Sequence, residues 1–330
     1  MPFSVYENIS RSFPLTRNVH LQGWGEPLLH PRLSDMVRLA KTAGCTVSIT
    51  TNGELLKPGL SMRLLDAQID TIAISVAGAT RETHGRIRRG SDLERIIENI
   101  RFLVTSKKKS RRRTPRLIVS FMMTRPNIRE LPDVVRLGKN LGIDELVATN
   151  LDYTPSQRQD ELKIFGPSGA DPSLEDLIDT SGSLAKKLNL AFRSYPIQEE
   201  EQIVCELNPL RIVYFSWDGR VGPCVYLNQT RKGACSRIFR GNRFEVSRVS
   251  FGDIQQEEFV RIWENEEYSA FRRFFERRLS VTAQAYDQVG HDLDLGTRKQ
   301  LERARREFQE GIRENPLPEV CRTCYKAYGL

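Results

Sequence analysis

No cysteine precedes Cys45, and the whole chain of 330 residues holds six, together with only four histidines. So few thiols, with no apolar leader segment ahead of them, do not make the disulfide framework of a small secreted protein. No apolar run reaches the ~18 residues that a membrane-spanning helix needs. The histidines His20, His30, His84 and His291 are not spaced as a metal-binding pair; His20 reads as a strand residue and His30 as a turn residue. These absences exclude a secreted, a helically membrane-spanning and a histidine-built metal protein, and they set cytoplasmic as the expected location. What remains is ample for a core: 39% apolar residues in a length that suits one large domain and a small one. The net charge of +8 and pI near 9.2 lean weakly toward anionic partners: nucleic acid, an acidic peptide or a phosphorylated ligand.

The stretch Leu21-Gln22-Gly23-Trp24-Gly25-Glu26-Pro27 stands out. The alternation Asn18-Val19-His20-Leu21-Gln22 before it predicts a strand, and the spacing of Leu33, Met36, Val37 and Ala40 after it predicts a helix. A glycine-rich loop at the carboxyl end of a strand is where α/β sheets and barrels bind ligands. By composition alone, however, the loop fits a tight βα turn with an acid next to a helix.

Strands and helices then alternate. Strands are expected at Thr46–Thr50, Ile69–Val76, Leu117–Met123 and Glu145–Asn150, and helices at Ser61–Ala67, Asp92–Val104 and Leu131–Leu141, the last closed by Gly142. A helix near Leu184–Leu188 and a strand at Ala191–Arg193 finish the array. This pattern predicts βαβ units and a parallel sheet, closed or partly closed. The run Lys107-Lys108-Lys109-Ser110-Arg111-Arg112-Arg113 is expected to be a solvated basic loop, because no aromatics interleave it for base stacking; nucleic acid is therefore disfavoured as a partner. Thr154–Ser183, with Pro155, Gly166, Pro167, Gly169, Pro172 and Gly182, reads as loop-rich. The composition changes after Pro196, so the domains are expected at 1–196 and 197–330. In the second, Asp218-Gly219 predicts a hairpin between Ile212–Trp217 and Arg220–Tyr226. Helices follow at Phe259–Trp263, Tyr268–Arg273 and Arg298–Arg313.

Four thiols make a plausible metal site. Cys321-x-x-Cys324 puts two sulfurs on one turn, and the hairpin brings Cys205 and Cys224. Four thiolates suit zinc or an iron–sulfur cluster, and the spacing fits both. Cys235 reads as a spare thiol in a Gly/Arg-rich loop and Cys45 as a buried structural one.

Together these residues resemble the radical S-adenosylmethionine (radical SAM) superfamily, in the branch with a C-terminal SPASM or twitch extension. Gly23-Trp24-Gly25-Glu26-Pro27 resembles its Gly-Gly-Glu-Pro motif, which implies contact with the methionine end of S-adenosylmethionine. Thr50-Thr51-Asn52-Gly53 is similar to the family's third-strand ending. Ser75, with Arg89 downstream, resembles the segment at the ribose and carboxylate, although Ala77 stands where many members carry an acid or amide. Cys205, Gly219, Cys224 and Cys321-x-x-Cys324 resemble the twitch and SPASM signature, implying one auxiliary 4Fe-4S cluster. The resemblance implies an incomplete parallel (β/α) barrel followed by a small hairpin-plus-helix iron–sulfur domain. Its activity is reductive cleavage of S-adenosylmethionine for radical modification of a peptide, a protein or a small molecule. The defining Cys-x-x-x-Cys-x-x-Cys is absent. The first strand, its cluster loop and most of the first helix are therefore expected to be missing, and the chain is expected to be inactive alone. Two alternatives stay open: a non-catalytic degenerate barrel that binds a peptide or partner, and a zinc-stapled basic module that binds nucleic acid.

Overall fold

A computed structural model of the chain describes residues 1–166, 169, 171–229, 233–287 and 295–330; the side chains of 295–299, and the whole of His291 and Pro167, lie outside the described residues. The chain divides into two compact units, Met1–Gln198 and Glu199–Leu330.

The first unit opens with helix α1 (Phe3–Ser10). Strands β1 (Asn18–Leu21), β2 (Thr46–Thr51), β3 (Thr71–Val76), β4 (Arg116–Met123), β5 (Glu145–Asn150) and β6 (Ala191–Ser194) follow. They form one six-stranded sheet in sequence order, every neighbouring pair parallel. The crossovers carry α2 (Leu33–Thr42), α3 (Pro58–Asp66), α4 (Arg81–Ile87), α5 (Leu93–Lys109), α6 (Leu131–Leu141), α7 (Gln157–Asp160) and α8 (Pro172–Lys187). The helical stripes meet one face of the sheet. Val47, Ile49, Ile72, Ile74, Leu117, Val119, Phe121 and Leu146 are buried there against Leu64, Leu65, Ile96, Ile100, Leu103 and Val135 of the helices. Asp92 caps α5 by accepting from the Glu94 amide, and Gly142 closes α6 in the left-handed conformation.

The opposite face of the sheet is largely polar, with Ala73, Ile118, Met122 and Val147 among its side chains. Strand alternation and register place His20, Ser48, Thr50, Ser75, Ser120, Arg116, Glu145 and Arg193 on it, half-buried or exposed. Parallel sheets are usually apolar on both faces. A polar second face is what the inside of a ligand-holding barrel requires. The loops beyond β1 and β5 meet: the Trp24 and Tyr153 rings touch edge-on at 5.2 Å. Their parent strands stand four spacings apart, roughly 19 Å in a flat sheet.

The second unit begins its regular structure with a short hairpin, β7 (Tyr214–Phe215) and β8 (Arg220–Gly222), turned at Asp218-Gly219 as the sequence indicates, with β11 (Gly252–Asp253) on the other side of β8. A second antiparallel pair, β9 (Cys235–Phe239) and β10 (Asn242–Val246), follows the first. Helices α9 (Phe259–Glu264), α10 (Glu266–Tyr286) and α11 (Leu295–Glu314) lead to the C-terminal turns. Phe275, Leu317 and Ala327 form a small core with Val204, Leu210, Phe271 and Tyr328 around it.

Several expectations need correction. Lys107–Lys109 are the last turn of α5 and not loop; three lysines there suit the negative end of the helix dipole. The last part of the stretch expected to be loop-rich, from Pro172 on, is α8, whose Pro172 sits in the first turn, where proline is tolerated, behind the Asp171 cap. Helix α4 has no counterpart in the predicted elements. The hairpin strands are shorter than expected, so Cys224 lies beyond β8. Cys235 starts a strand, buried, where a loop was expected.

Candidate functional site

Two constellations emerge, one in each unit. The first is at the carboxyl ends of β1 and β2. Glu26 follows the glycine-rich loop and caps the turn Pro27–Leu29. Its carboxylate accepts from the Leu28 amide at 3.1 Å, the Thr51 hydroxyl at 2.6 Å and the Asn52 amide at 2.8 Å. The carboxylate thus ties the loop to the end of β2. Asn52 in turn accepts from the Glu54 amide at 3.0 Å through its side chain. At Gly25 an added Cβ would meet open space, so packing does not require glycine there; the gap leaves room beside the backbone. Gly53 does need to be glycine: its φ is +80° and a Cβ would fall 2.8 Å from Ile74. Gly23 and Pro27 belong to the same loop, and Ser75 faces the polar side of the sheet beside Ser120.

Arg89 is exposed, whereas its neighbour Arg88 is half-buried with Nε lacking a hydrogen-bond partner. Burial pushes the Arg88 guanidinium below its usual range, and the negative charge of Glu26 opposes that shift. Arg88, which sequence reasoning did not single out, is therefore the arginine that feels Glu26. The sequence signal was the Arg88-Arg89 pair itself, which does not say which member turns inward. Nearby, His84 is fully buried, and burial pushes its pKa down. It accepts from the Ala77 amide at 3.2 Å, so its other nitrogen carries the proton toward Ser91 at 2.9 Å, and Ser91 donates to Glu54 at 2.7 Å. His84 is structural in this relay. On the polar face, His20 engages Ser48 at 2.7 Å and also reaches Gln22. His30 accepts from the Arg32 amide at 3.1 Å as a turn residue.

The second constellation is built by the cysteines. Cys205 opens a turn closed by Asn208, Cys224 follows β8, and Cys321 and Cys324 bracket one turn, with the Cys324 amide donating to the Cys321 carbonyl at 3.0 Å. These four line one small cavity, closed elsewhere mainly by Leu207, Leu227, Phe275, Val320 and Ala327. Burial pushes the Cys205 thiol up to about 11 and Cys224 up to about 12, and the charge of Cys324 adds to both shifts. Cys321 is raised well above the usual thiol range, first by burial and then by Cys224, Cys324 and Cys205. Thiols that shift one another in this way share one site, and a metal entering it must displace their protons. The donor set, all sulfur in apolar surroundings, fits iron–sulfur or zinc chemistry. Among the described residues, no three His, Cys, Asp or Glu side chains close on a single-ion position. Cys45 and Cys235 stand apart: Cys45 is buried with its sulfur toward the Phe13 and Thr16 carbonyls at 3.8 and 3.7 Å.

A parallel α/β unit followed by a four-thiol unit defines an α/β protein with an appended cysteine-rich domain. Residues 7–147 match the radical SAM superfamily, and residues 205–284 match SPASM, an iron-sulfur cluster-binding domain. The chain belongs to the radical SAM superfamily and carries a SPASM domain. A similar protein is the tungsten-containing aldehyde ferredoxin oxidoreductase cofactor-modifying protein of Pyrococcus furiosus, 28% identical over 268 residues, covering 80% of this chain and 71% of that one. Among solved structures, Streptococcus suis SuiB bound to S-adenosylmethionine superposes with a TM-score of 0.60 at 12% identity, over 83% of this chain and 60% of that one. SuiB bound to its precursor peptide SuiA gives 0.53 at 14%, over 81% and 60%. The protein anSMEcpe with bound AdoMet gives 0.57 at 13%, over 96% and 90%. This chain thus spans about three-fifths of the SuiB chain. Membership in the superfamily implies S-adenosylmethionine and iron–sulfur clusters as cofactors. No helix among the described residues is long and apolar enough to cross a membrane.

Proposed function

We propose that this chain is the cofactor-binding and auxiliary-cluster portion of an enzyme that reductively cleaves S-adenosylmethionine and uses the resulting radical to modify a peptide or protein. The observation that carries this reading is the gathering of Cys205, Cys224, Cys321 and Cys324 around one cavity. They would hold one 4Fe-4S cluster, and a fully thiolate-ligated cluster supplies electron transfer or shapes the substrate pocket. A cubane is favoured over a single zinc because the matched domain binds iron–sulfur clusters.

In the first unit the polar sheet face would receive S-adenosylmethionine. Gly23, Gly25, Glu26 and Pro27 form the loop at its methionine end. Glu26 acts there by fixing the loop to Asn52, which leaves backbone groups of the loop to face the ligand. Ser75 stands on the face itself. Arg88, with its unsatisfied Nε, is better placed than Arg89 for an anionic group near Glu26. A peptide substrate is supported by SuiB, which binds a precursor peptide, and by the net charge of +8, which suits an acidic one. The cleaving cluster needs three thiolates that residues 1–330 do not supply alongside the auxiliary four.

Anaerobic reconstitution should give a brown protein with about four irons per chain, the stoichiometry of one cubane. With reductant and S-adenosylmethionine it should yield no 5′-deoxyadenosine. Supplying a preceding segment with three cysteines should raise the iron to about eight and start cleavage. Stoichiometric zinc with no iron uptake refutes the cluster assignment. Cleavage by the chain as given refutes the division of labour.

A further inference from the structure

Arg237, on β9, is only 3% exposed. Its guanidinium donates to the Thr323 hydroxyl from Nε at 3.0 Å and from Nη2 at 2.6 Å, and to the Val320 carbonyl from Nη2 at 2.5 Å. Every acceptor is a neutral oxygen on the segment that carries Cys321 and Cys324. Nη1 is buried with no partner, and no carboxylate pairs with Arg237 among the described residues. A buried charge without a counterion is costly. Lys326 lines the same cavity, but its ammonium is 3.4 Å from the Glu206 carboxylate, which offsets it. Four thiolates leave a 4Fe-4S core with a net negative charge, and one-electron reduction increases it.

We infer that Arg237 is the counterion of the cluster held by Cys205, Cys224, Cys321 and Cys324, and that it raises the reduction potential of that cluster. This rests on the proposed four-thiolate cluster. The same guanidinium fork holds the Val320–Thr323 turn, so it positions two ligands and sets the local field with one group. Nearby charge is among the factors that set such potentials.

The test is a mediated potentiometric titration of the reconstituted full chain with dithionite, followed by electron paramagnetic resonance. Arg237→Gln should shift the midpoint to a more negative potential with iron per chain unchanged. Arg237→Lys, which keeps the charge, should stay close to wild type. Thr323→Asp leaves the arginine in place and gives it the carboxylate it lacks; it should also shift the midpoint negative. If Arg237→Gln does not assemble a cluster, the Thr323→Asp and Arg237→Lys pair decides. Midpoints unmoved in Arg237→Gln and Thr323→Asp, or a shift in Arg237→Lys as large as in Arg237→Gln, overturn the inference alone. A wild-type chain that takes up no iron overturns the cluster reading and the inference with it.

Discussion

Glu26 offers the most direct check on how the glycine-rich loop is built. Its carboxylate takes three hydrogen bonds, from the Leu28 amide, the Thr51 hydroxyl and the Asn52 amide. Leu28 and Thr51 are 6% and 2% exposed, so water replaces the lost acceptor poorly there. A hydrogen bond to a charged group contributes ~1.5–3 kcal/mol, and shared bonds do not add fully. Glu26→Ala should therefore destabilise the loop by about 3 kcal/mol on the same scale. Glu26→Gln should cost about 1 kcal/mol, because its carbonyl still accepts from Asn52 and the Thr51 hydroxyl can reverse to accept from the new amide. The assay is hydrogen exchange at the Leu28 and Asn52 amides, with urea unfolding alongside. A loss of about 3 kcal/mol corresponds to exchange faster by roughly a hundredfold or more. Alanine within about 0.5 kcal/mol of wild type would refute the tie between loop and strand, since that is the range of an uninvolved surface site. This prediction also changes how ligand binding is read. A loss of S-adenosylmethionine affinity in Glu26→Ala that Glu26→Gln does not share reports a loop set adrift, whereas a loss common to both reports direct contact.

Other outcomes follow from the second unit. Arg248 donates to both oxygens of Asp218, at 2.7 and 2.8 Å, and this pairing holds the Asp218 carboxyl well below the usual carboxylate range. A depressed carboxylate stabilises above its unfolded pKa, about 3.9, and that contribution is lost as pH falls further toward the folded value. Below about pH 4, wild type should thus lose stability to urea that Asp218→Asn, already weaker at neutral pH, does not lose again. At Gly222 a Cβ would stand 2.7 Å from the Asn228 Cβ and 2.9 Å from the Val249 carbonyl, so Gly222→Ala should displace the segment entering Cys224 and reduce iron uptake. Cys321→Ala should abolish iron binding, while Cys45→Ala and Cys235→Ser should leave about four irons per chain as measured by iron assay.

The strands of the first unit were legible because Thr46–Thr51 is mostly β-branched and alternates in burial, and Leu117–Met123 is an almost continuous apolar run. The four cysteines that line one cavity were legible as a group because of their spacing in the sequence. What was hidden depended on long-range pairing. Helix α8 reads as loop by its Pro172 and Gly182, yet the proline occupies the first turn and the glycine gives Phe192 room at 3.4 Å. The β9–β10 pair is short and charged, with no alternation to betray it. That Arg88 turns inward and Arg89 outward is decided after the short helix α4, whose sequence Arg-Glu-Thr-His-Gly-Arg-Ile gives little sign of being a helix. That Glu26 is saturated by residues some 25 positions away is invisible until β1 and β2 are in register.

The strand order of the sheet also bears on how the chain acquires its shape. Each strand pairs with its immediate predecessor and successor, so every pairing closes a single crossover and no strand waits for a distant one. Sequential closure of this kind favours growth from the amino end as the chain emerges from the ribosome. The thiol site has the opposite character. Cys205 must wait for Cys324, 119 positions later by their numbers, before its cavity exists. Metal insertion is therefore expected to be the closing event of biogenesis, and a nascent chain arrested before Cys321 should show a folded, protease-resistant first unit that holds no iron.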